Sequence, residues 1–201
     1  MEEQFRPKET VGGSSPSRGT TFTPPVARLL TSTNERLMSD SWKVDRIGAA
    51  LSGDNPTVMV EMASGWAVIG DTQFLPGYSV RLSRHAQAKC LSDLSRADRL
   101  QFLADTDLLA QAVEAGCKSL DRGFLRTNID ILGNADPFVH AHVFPRYEWE
   151  PKDLVWRPVW LYPLSSWTDP EHQLSPRCDP LRAAITTELI SLVERDSRTR
   201  G

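Results

Sequence analysis

The chain has 201 residues, 40% hydrophobic and 24% charged, which suits one globular domain with or without a tail and excludes a wholly disordered or fibrous protein. Its 23 basic against 26 acidic residues give a formal charge of −3, so binding nucleic acid by general phosphate neutralisation is not expected and an anionic ligand needs a local site. The wide spacing of Cys90, Cys117 and Cys178 disfavours a disulfide scaffold or a cysteine-built zinc site, while the absence of a signal-peptide layout or of an apolar run near about 18 residues predicts a cytoplasmic protein without a membrane partner.

Residues 1–38 carry Gly12, Gly13, Ser14, Ser15, Pro16, Gly19, Pro24 and Pro25 with little apolar periodicity, and predict a disordered arm. A short helix is expected next, with Val44, Ile47 and Leu51 on one face before the breaker run Gly53-Asp54-Asn55-Pro56. TVMVEM (57–62) and GWAVIGD (65–71) read as strands joined at a Ser64-Gly65 turn, and YSVRLS (78–83) as the third strand of an antiparallel meander. From Ser95 the period becomes helical through Phe102, Leu109, Val113, Cys117 and Leu120, and Ser95 with Asp98 has the form of a capping box. Two more strands, FLRTNIDIL (124–132) and FVHAHVFPRY (138–147), should form a hairpin around Gly133-Asn134-Ala135-Asp136-Pro137. The Trp- and Pro-rich stretch 148–179 has no period and predicts an ordered loop over the core, where Trp156, Trp160 and Trp167 either cover a site or fill the core. A last helix is predicted from Asp179 as N-cap and Pro180 at its first position, burying Leu181, Ile185, Leu189 and Leu192.

On the last predicted strand, Phe138, His140, His142 and Phe144 alternate with Val139, Ala141 and Val143, whose side is the expected core face. The two imidazoles then stand side by side on a half-exposed face, with Cβ atoms roughly 7 Å apart. One reading is purely structural. Metal ligation is another, but His-x-His needs a third ligand, and nothing singles out His85, His172 or a carboxylate, so neither a metal nor a cofactor is expected. Arg146 shares the face of His140 if Pro145 does not break the alternation, and a structural role fits it equally well.

The segment LGNADPFVHAHVFPRY (132–147) resembles the signature of the histidine triad (HIT) superfamily, His-φ-His-φ-His-φ-φ, ending in Pro-Arg as in many members. Phe138 stands where the first histidine belongs, and His140 and His142 match the second and third. FLPGY (74–78) is similar to the family's Pro-Gly-His turn, with Tyr78 replacing the histidine. The likeness covers roughly residues 55–150. It implies an α+β HIT-like antiparallel sheet of about five strands with a long packed helix and a C-terminal helix; the catalytic domain would span 39–150 and a C-terminal extension 151–201. It further implies His140 as nucleophile, Asn128 as the amide that contacts the nucleotide, and Asp71, one residue out of register with Pro76, as the ribose ligand. Because Ala135 stands where the family often has Ser or Thr, one phosphate contact is either missing or supplied by Asn134.

The residue types suit that chemistry. An imidazole with an unperturbed pKa of about 6.5 is largely neutral and nucleophilic at pH 7. His142 could donate to a phosphate oxygen, and N–H groups of the Gly133–Asp136 turn could add to this. The expected function is a nucleotide hydrolase or transferase acting at an α-phosphate through a nucleotidyl-histidine intermediate. A dinucleoside polyphosphate such as diadenosine tetraphosphate is the leading substrate, followed by a nucleoside phosphoramidate and by phosphorolysis. The competing class is a non-catalytic nucleotide-binding or interaction protein. The resemblance, together with the apolar stripe of the long helix, also implies a homodimer.

Overall fold

Short runs of alternating apolar residues build a five-stranded antiparallel sheet in the order β1-β2-β3-β5-β4. The computed structural model describes residues 41–200; the arm expected over 1–38 and the first two residues of the expected domain lie outside them. β1 (Val58–Met62), β2 (Gly65–Ile69) and β3 (Ser79–Ser83) form the predicted meander. Their first turn is Ala63-Ser64, one residue earlier than expected, because Gly65 already pairs with Met62 and Ser83. Gly65 has φ +144°, and a Cβ there would lie 2.1 Å from the carbonyl oxygen of Leu82, so the close approach of β3 requires glycine. β4 (Phe124–Asp130) and β5 (His140–Tyr147) pair antiparallel as expected.

Helix α1 (Arg46–Ser52) begins after Asp45, whose carboxylate accepts from the N–H of Gly48, and ends at Gly53 in the left-handed region. It buries Ile47 and Ala50 rather than the expected Val44, Ile47 and Leu51. The late N-cap leaves Val44 outside the helix, and the Ile47/Ala50 stripe turns Leu51 toward solvent. Helix α2 (Arg96–Leu120) is capped by Ser95, whose Oγ accepts from the Asp98 N–H at 3.1 Å. It buries Phe102, Leu109, Val113 and Cys117, whereas Leu120, at its last position, is exposed. The 148–179 stretch holds one short helix, α3 (Leu164–Thr168), among turns and 3-10 segments. Helix α4 (Asp179–Arg200) buries Ile185 and Leu189 completely, with Leu181 and Leu192 half-buried.

Helix α4 crosses α2 at Gly116, where a Cβ would meet Ile185 Cγ1 at 2.7 Å. Helix α4 thus covers part of α2 within the chain, while Leu100, Leu103 and Leu120 of α2 stay exposed. On the sheet, α2 lies over the face that carries Val139 and Ala141, which cluster with Phe102. The opposite face of β5 is covered too: all eight residues of the strand are buried, not half of them as the alternation suggested. Among the described residues no helix is long and apolar enough to cross a membrane.

One buried ion pair fastens α2 to the meander. Arg81 of β3 places Nη2 2.8 Å from Asp105 Oδ2 of α2, and the same carboxylate oxygen accepts from the Ser64 N–H at 2.8 Å and hydroxyl at 2.7 Å. Gln101 Nε2 donates to Asp105 Oδ1 at 2.8 Å. Burial alone would raise the Asp105 pKa, but the Ser64 hydroxyl and Arg81 outweigh it and hold the carboxyl below its ordinary range. Asp105→Asn, which strands the guanidinium, is expected to cost about 3–5 kcal/mol in a denaturant titration. The double replacement Arg81→Met with Asp105→Leu should recover most of that loss; a single variant as stable as the parent would show that the pair is not the fastening.

Candidate functional site

The histidine face of β5 opens onto a cavity of about 180 Å³ lined by Arg46, Asp71, Asp136, Phe138, His140 and His142, with Trp167 at its edge. Val68 and Ile69 of β2 and Val80 and Leu82 of β3 make an apolar part of its wall, and Thr72 and Tyr78 add hydroxyl groups. Strand register accounts for the assembly. Val80 is the cross-strand partner of His142 and Leu82 that of His140, so all four point to one face.

His140 is 5% exposed and lies between two rings, Phe138 at a centroid distance of 5.0 Å and His142 at 4.6 Å. Its Nδ1 is 2.7 Å from the Phe138 carbonyl oxygen. A carbonyl can only accept, so Nδ1 carries the proton and Nε2 holds the lone pair in the neutral ring. The contact comes from the backbone of residue 138. It does not depend on which side chain stands there.

His142 has the opposite tautomer. Its Nδ1 is 2.7 Å from the Tyr78 hydroxyl, and that phenol is held protonated by burial, with nearby Asp71 adding to the effect. No other acceptor faces the buried hydroxyl among the described residues, so the phenol donates, Nδ1 accepts, and the imidazole proton is assigned to Nε2, where it can donate. Burial, helped by the proximity of His140, pushes the His142 pKa down to about 3, so this ring is neutral at physiological pH. The Trp160 ring stands edge-on to His142 at 4.7 Å and is stacked on Trp167 at 5.2 Å, while Tyr78 stacks on Phe144 at 4.4 Å. The Trp-rich stretch thus covers His142, with Trp160 and Trp167 as the cover and Trp156 80% exposed elsewhere.

The expected site residues separate into two groups. Asp71 joins His140 and His142 at the cavity, but both its carboxylate oxygens already accept from Arg46, at 3.2 and 2.7 Å. The guanidinium also lies 3.7 Å from Asp136. Asp71 retains lone pairs for ribose hydroxyls, since a carboxylate offers about four acceptor positions. Asn128 is not in this cavity. It stands on β4 opposite Phe144 and lines a second cavity, where its Oδ1 accepts from Arg146 at 3.4 Å. Asn134 is exposed in the β4–β5 turn and lines neither cavity, because its side chain projects outward there. Arg146 keeps the alternation through Pro145 and has the structural role: it binds buried Glu150 through Nε and Nη2 and donates to the carbonyls of Leu154, Val155 and Arg157. No group of three or more His, Cys, Asp or Glu side chains among the described residues could hold a metal ion. Sequence reading missed Arg46 and Asp136. Asp136 sits two residues before Phe138 and was within reach of the motif, whereas Arg46 arrives from α1 and has no local signal.

No protein-family model matches the chain, and no curated protein matches it. Among solved structures, it is similar to a hypothetical histidine triad nucleotide-binding protein from Sulfolobus tokodaii, with a TM-score of 0.53 and 10% identity over 73% of this chain and 93% of that one. It is also similar to a histidine triad protein from Bradyrhizobium japonicum, with a TM-score of 0.51 and 18% identity over 68% of this chain and 89% of that one. At these identities the shared property is the fold: the chain has the α+β fold of histidine triad proteins.

Proposed function

We propose that the chain is a HIT-family enzyme that cleaves nucleotides at the α-phosphorus, with His140 as nucleophile and a dinucleoside polyphosphate of the diadenosine tetraphosphate type as substrate. The observation that carries this reading is the pair of opposed tautomers: His140 with its lone pair on Nε2, fixed by the Phe138 carbonyl, beside a neutral His142 with its proton on Nε2, fixed by Tyr78. One ring is set to attack and the other to donate. Attack by His140 Nε2 forms an N–P bond and breaks the P–O bond to the departing phosphate chain. Water then cleaves the N–P bond, releasing the mononucleotide and restoring the imidazole. His142 donates to a phosphate oxygen as charge develops, and because it is already neutral it needs no proton exchange to do so. The apolar wall of Val68, Ile69, Val80 and Leu82 suits a base, and Asp71 the ribose.

Phosphoramidates and phosphorolysis remain within the same chemistry, since they change only the leaving group or the acceptor. A nucleotide-binding protein without catalysis is the competing reading, and the Phe138 position is what favours it. Against it stands the backbone origin of the contact to His140.

His140→Ala is expected to abolish turnover of diadenosine tetraphosphate while leaving nucleotide binding by calorimetry largely intact; a variant that keeps most of its rate would remove the covalent mechanism. His142→Ala should lose about 3 kcal/mol of transition-state stabilisation, read as kcat/KM. For residue 138, Phe138→His should change the rate little and Phe138→Ala should lower it by about tenfold or more, because alanine removes the ring packed against His140 and leaves the carbonyl contact to hold the imidazole without that support. A large gain with histidine would favour the binding-protein reading. A stability measurement checks the state of His142. Its folded pKa lies below the unfolded value, so its contribution is complete above about pH 6.5 and is lost as pH falls toward 3. The slope of unfolding free energy against pH over that window should flatten in His142→Phe, by up to about 1.4 kcal/mol per pH unit.

A further inference from the structure

The second cavity, of about 250 Å³, lies outside the one that holds His140 and His142, yet it is built from the neighbouring strand. Arg126, Asn128 and Asp130, alternate residues of β4, make its floor, and Trp156 and Arg157 of the covering stretch make its rim. The two cavities lie on one face of the sheet, on opposite sides of the His140–His142–Phe144 row. The first spans β2, β3 and β5, and the second spans β5 and β4. Asp130 is the cross-strand partner of His142, which sets the Cα atoms of the two residues about 5 Å apart.

The charges of the two cavities differ. In the first, Arg46 faces both Asp71 and Asp136. In the second, Arg146 is neutralised by Glu150, while the exposed Arg126 and Arg157 make no ion pair among the described residues and face the single carboxylate of Asp130. The cavity holds unused hydrogen-bonding capacity as well. Asn128 spends its carbonyl oxygen on Arg146, which leaves its NH₂ as a donor. Asp130 lines the cavity with its Oδ2 shielded from solvent, so its carboxylate is not the group that a ligand meets first. The exposed Trp156 ring offers a stacking face.

Two guanidinium groups, an amide donor and an indole face together match a nucleotide carrying a chain of phosphates. We infer that this cavity holds the leaving half of a dinucleoside polyphosphate, its phosphates on Arg126, Arg157 and Asn128, and its base on Trp156. This rests on the proposed cleavage at His140, for which it supplies the place where the departing phosphates are held. It also assigns Asn128 to the leaving side of the scissile bond.

The experiment compares the full chain with the double variant Arg126→Gln/Arg157→Gln, both exposed positions, on two substrates. Diadenosine tetraphosphate has a long anionic leaving group, and adenosine 5′-phosphoramidate releases only ammonia. The variant should lose about tenfold in kcat/KM per guanidinium on the tetraphosphate, and stay within about twofold on the phosphoramidate. Equal losses on both substrates, or no loss on either, would overturn the inference. Calorimetry with inorganic tripolyphosphate tests the cavity without catalysis. Binding by the parent and by His140→Ala, weakened at least about tenfold in the double variant, supports the site, and unchanged or absent binding overturns it. Should the parent turn over neither substrate, the proposed catalysis fails, and the tripolyphosphate titration alone decides whether the cavity is a polyphosphate site.

Discussion

A strand buried on both faces has to satisfy two layers at once, and β5 does so with two kinds of side chain. Under α2 it presents Ala141 and Val143, which need only volume complementarity. On the other face it presents His140, His142, Phe144 and Arg146, three of them polar, and each polar group left without a partner would cost about 1–3 kcal/mol. Each has a partner: the Phe138 carbonyl, the Tyr78 phenol and the Glu150 carboxylate. Folding therefore fixes the ring orientations and tautomers before any ligand arrives. The polar face of β5 is tolerated in the interior because these partners are in place, and the same contacts give the two imidazoles their different chemical characters.

Most of the sheet was legible in the sequence because its signals are local. Period-two runs, the Ser95/Asp98 cap and the Asp179-Pro180 helix start each lie within a few residues of what they specify. The errors came where a partner distant in sequence decides the outcome. Whether the His140 face is open depends on Trp160 and Trp167, which return from an aperiodic stretch. Which face α1 buries depends on where Asp45 starts the helix. A buried Arg81 could not be read from an alternating strand, since its pairing with Asp105 joins β3 to α2 across 24 residues.

The site shows the same division. His140, His142 and Tyr78 were legible as motif positions, but their tautomers follow from contacts made only in three dimensions. Arg46 comes from α1, so only the fold reveals that Asp71 is already engaged. Where Asn128 stands relative to the histidines is equally a matter of the fold: cross-strand pairing seats it opposite Phe144, in the second cavity. Residue 138 is the reverse case. Its departure from the motif is conspicuous in sequence, yet the hydrogen bond it makes to His140 is through an atom every amino acid possesses.

The cover over His142 belongs to the same chain as the histidine. Trp160 and Trp167 are tethered to β5 through Tyr147 and the Arg146–Glu150 clamp, whose guanidinium also holds the carbonyls of Leu154, Val155 and Arg157. Closing that cover is a unimolecular event whose effective concentration is set by a tether of some tens of residues, not by how much protein is present. The environment that keeps His142 neutral therefore does not dissolve on dilution, as it would if the two indoles had to be supplied by another molecule under mass action.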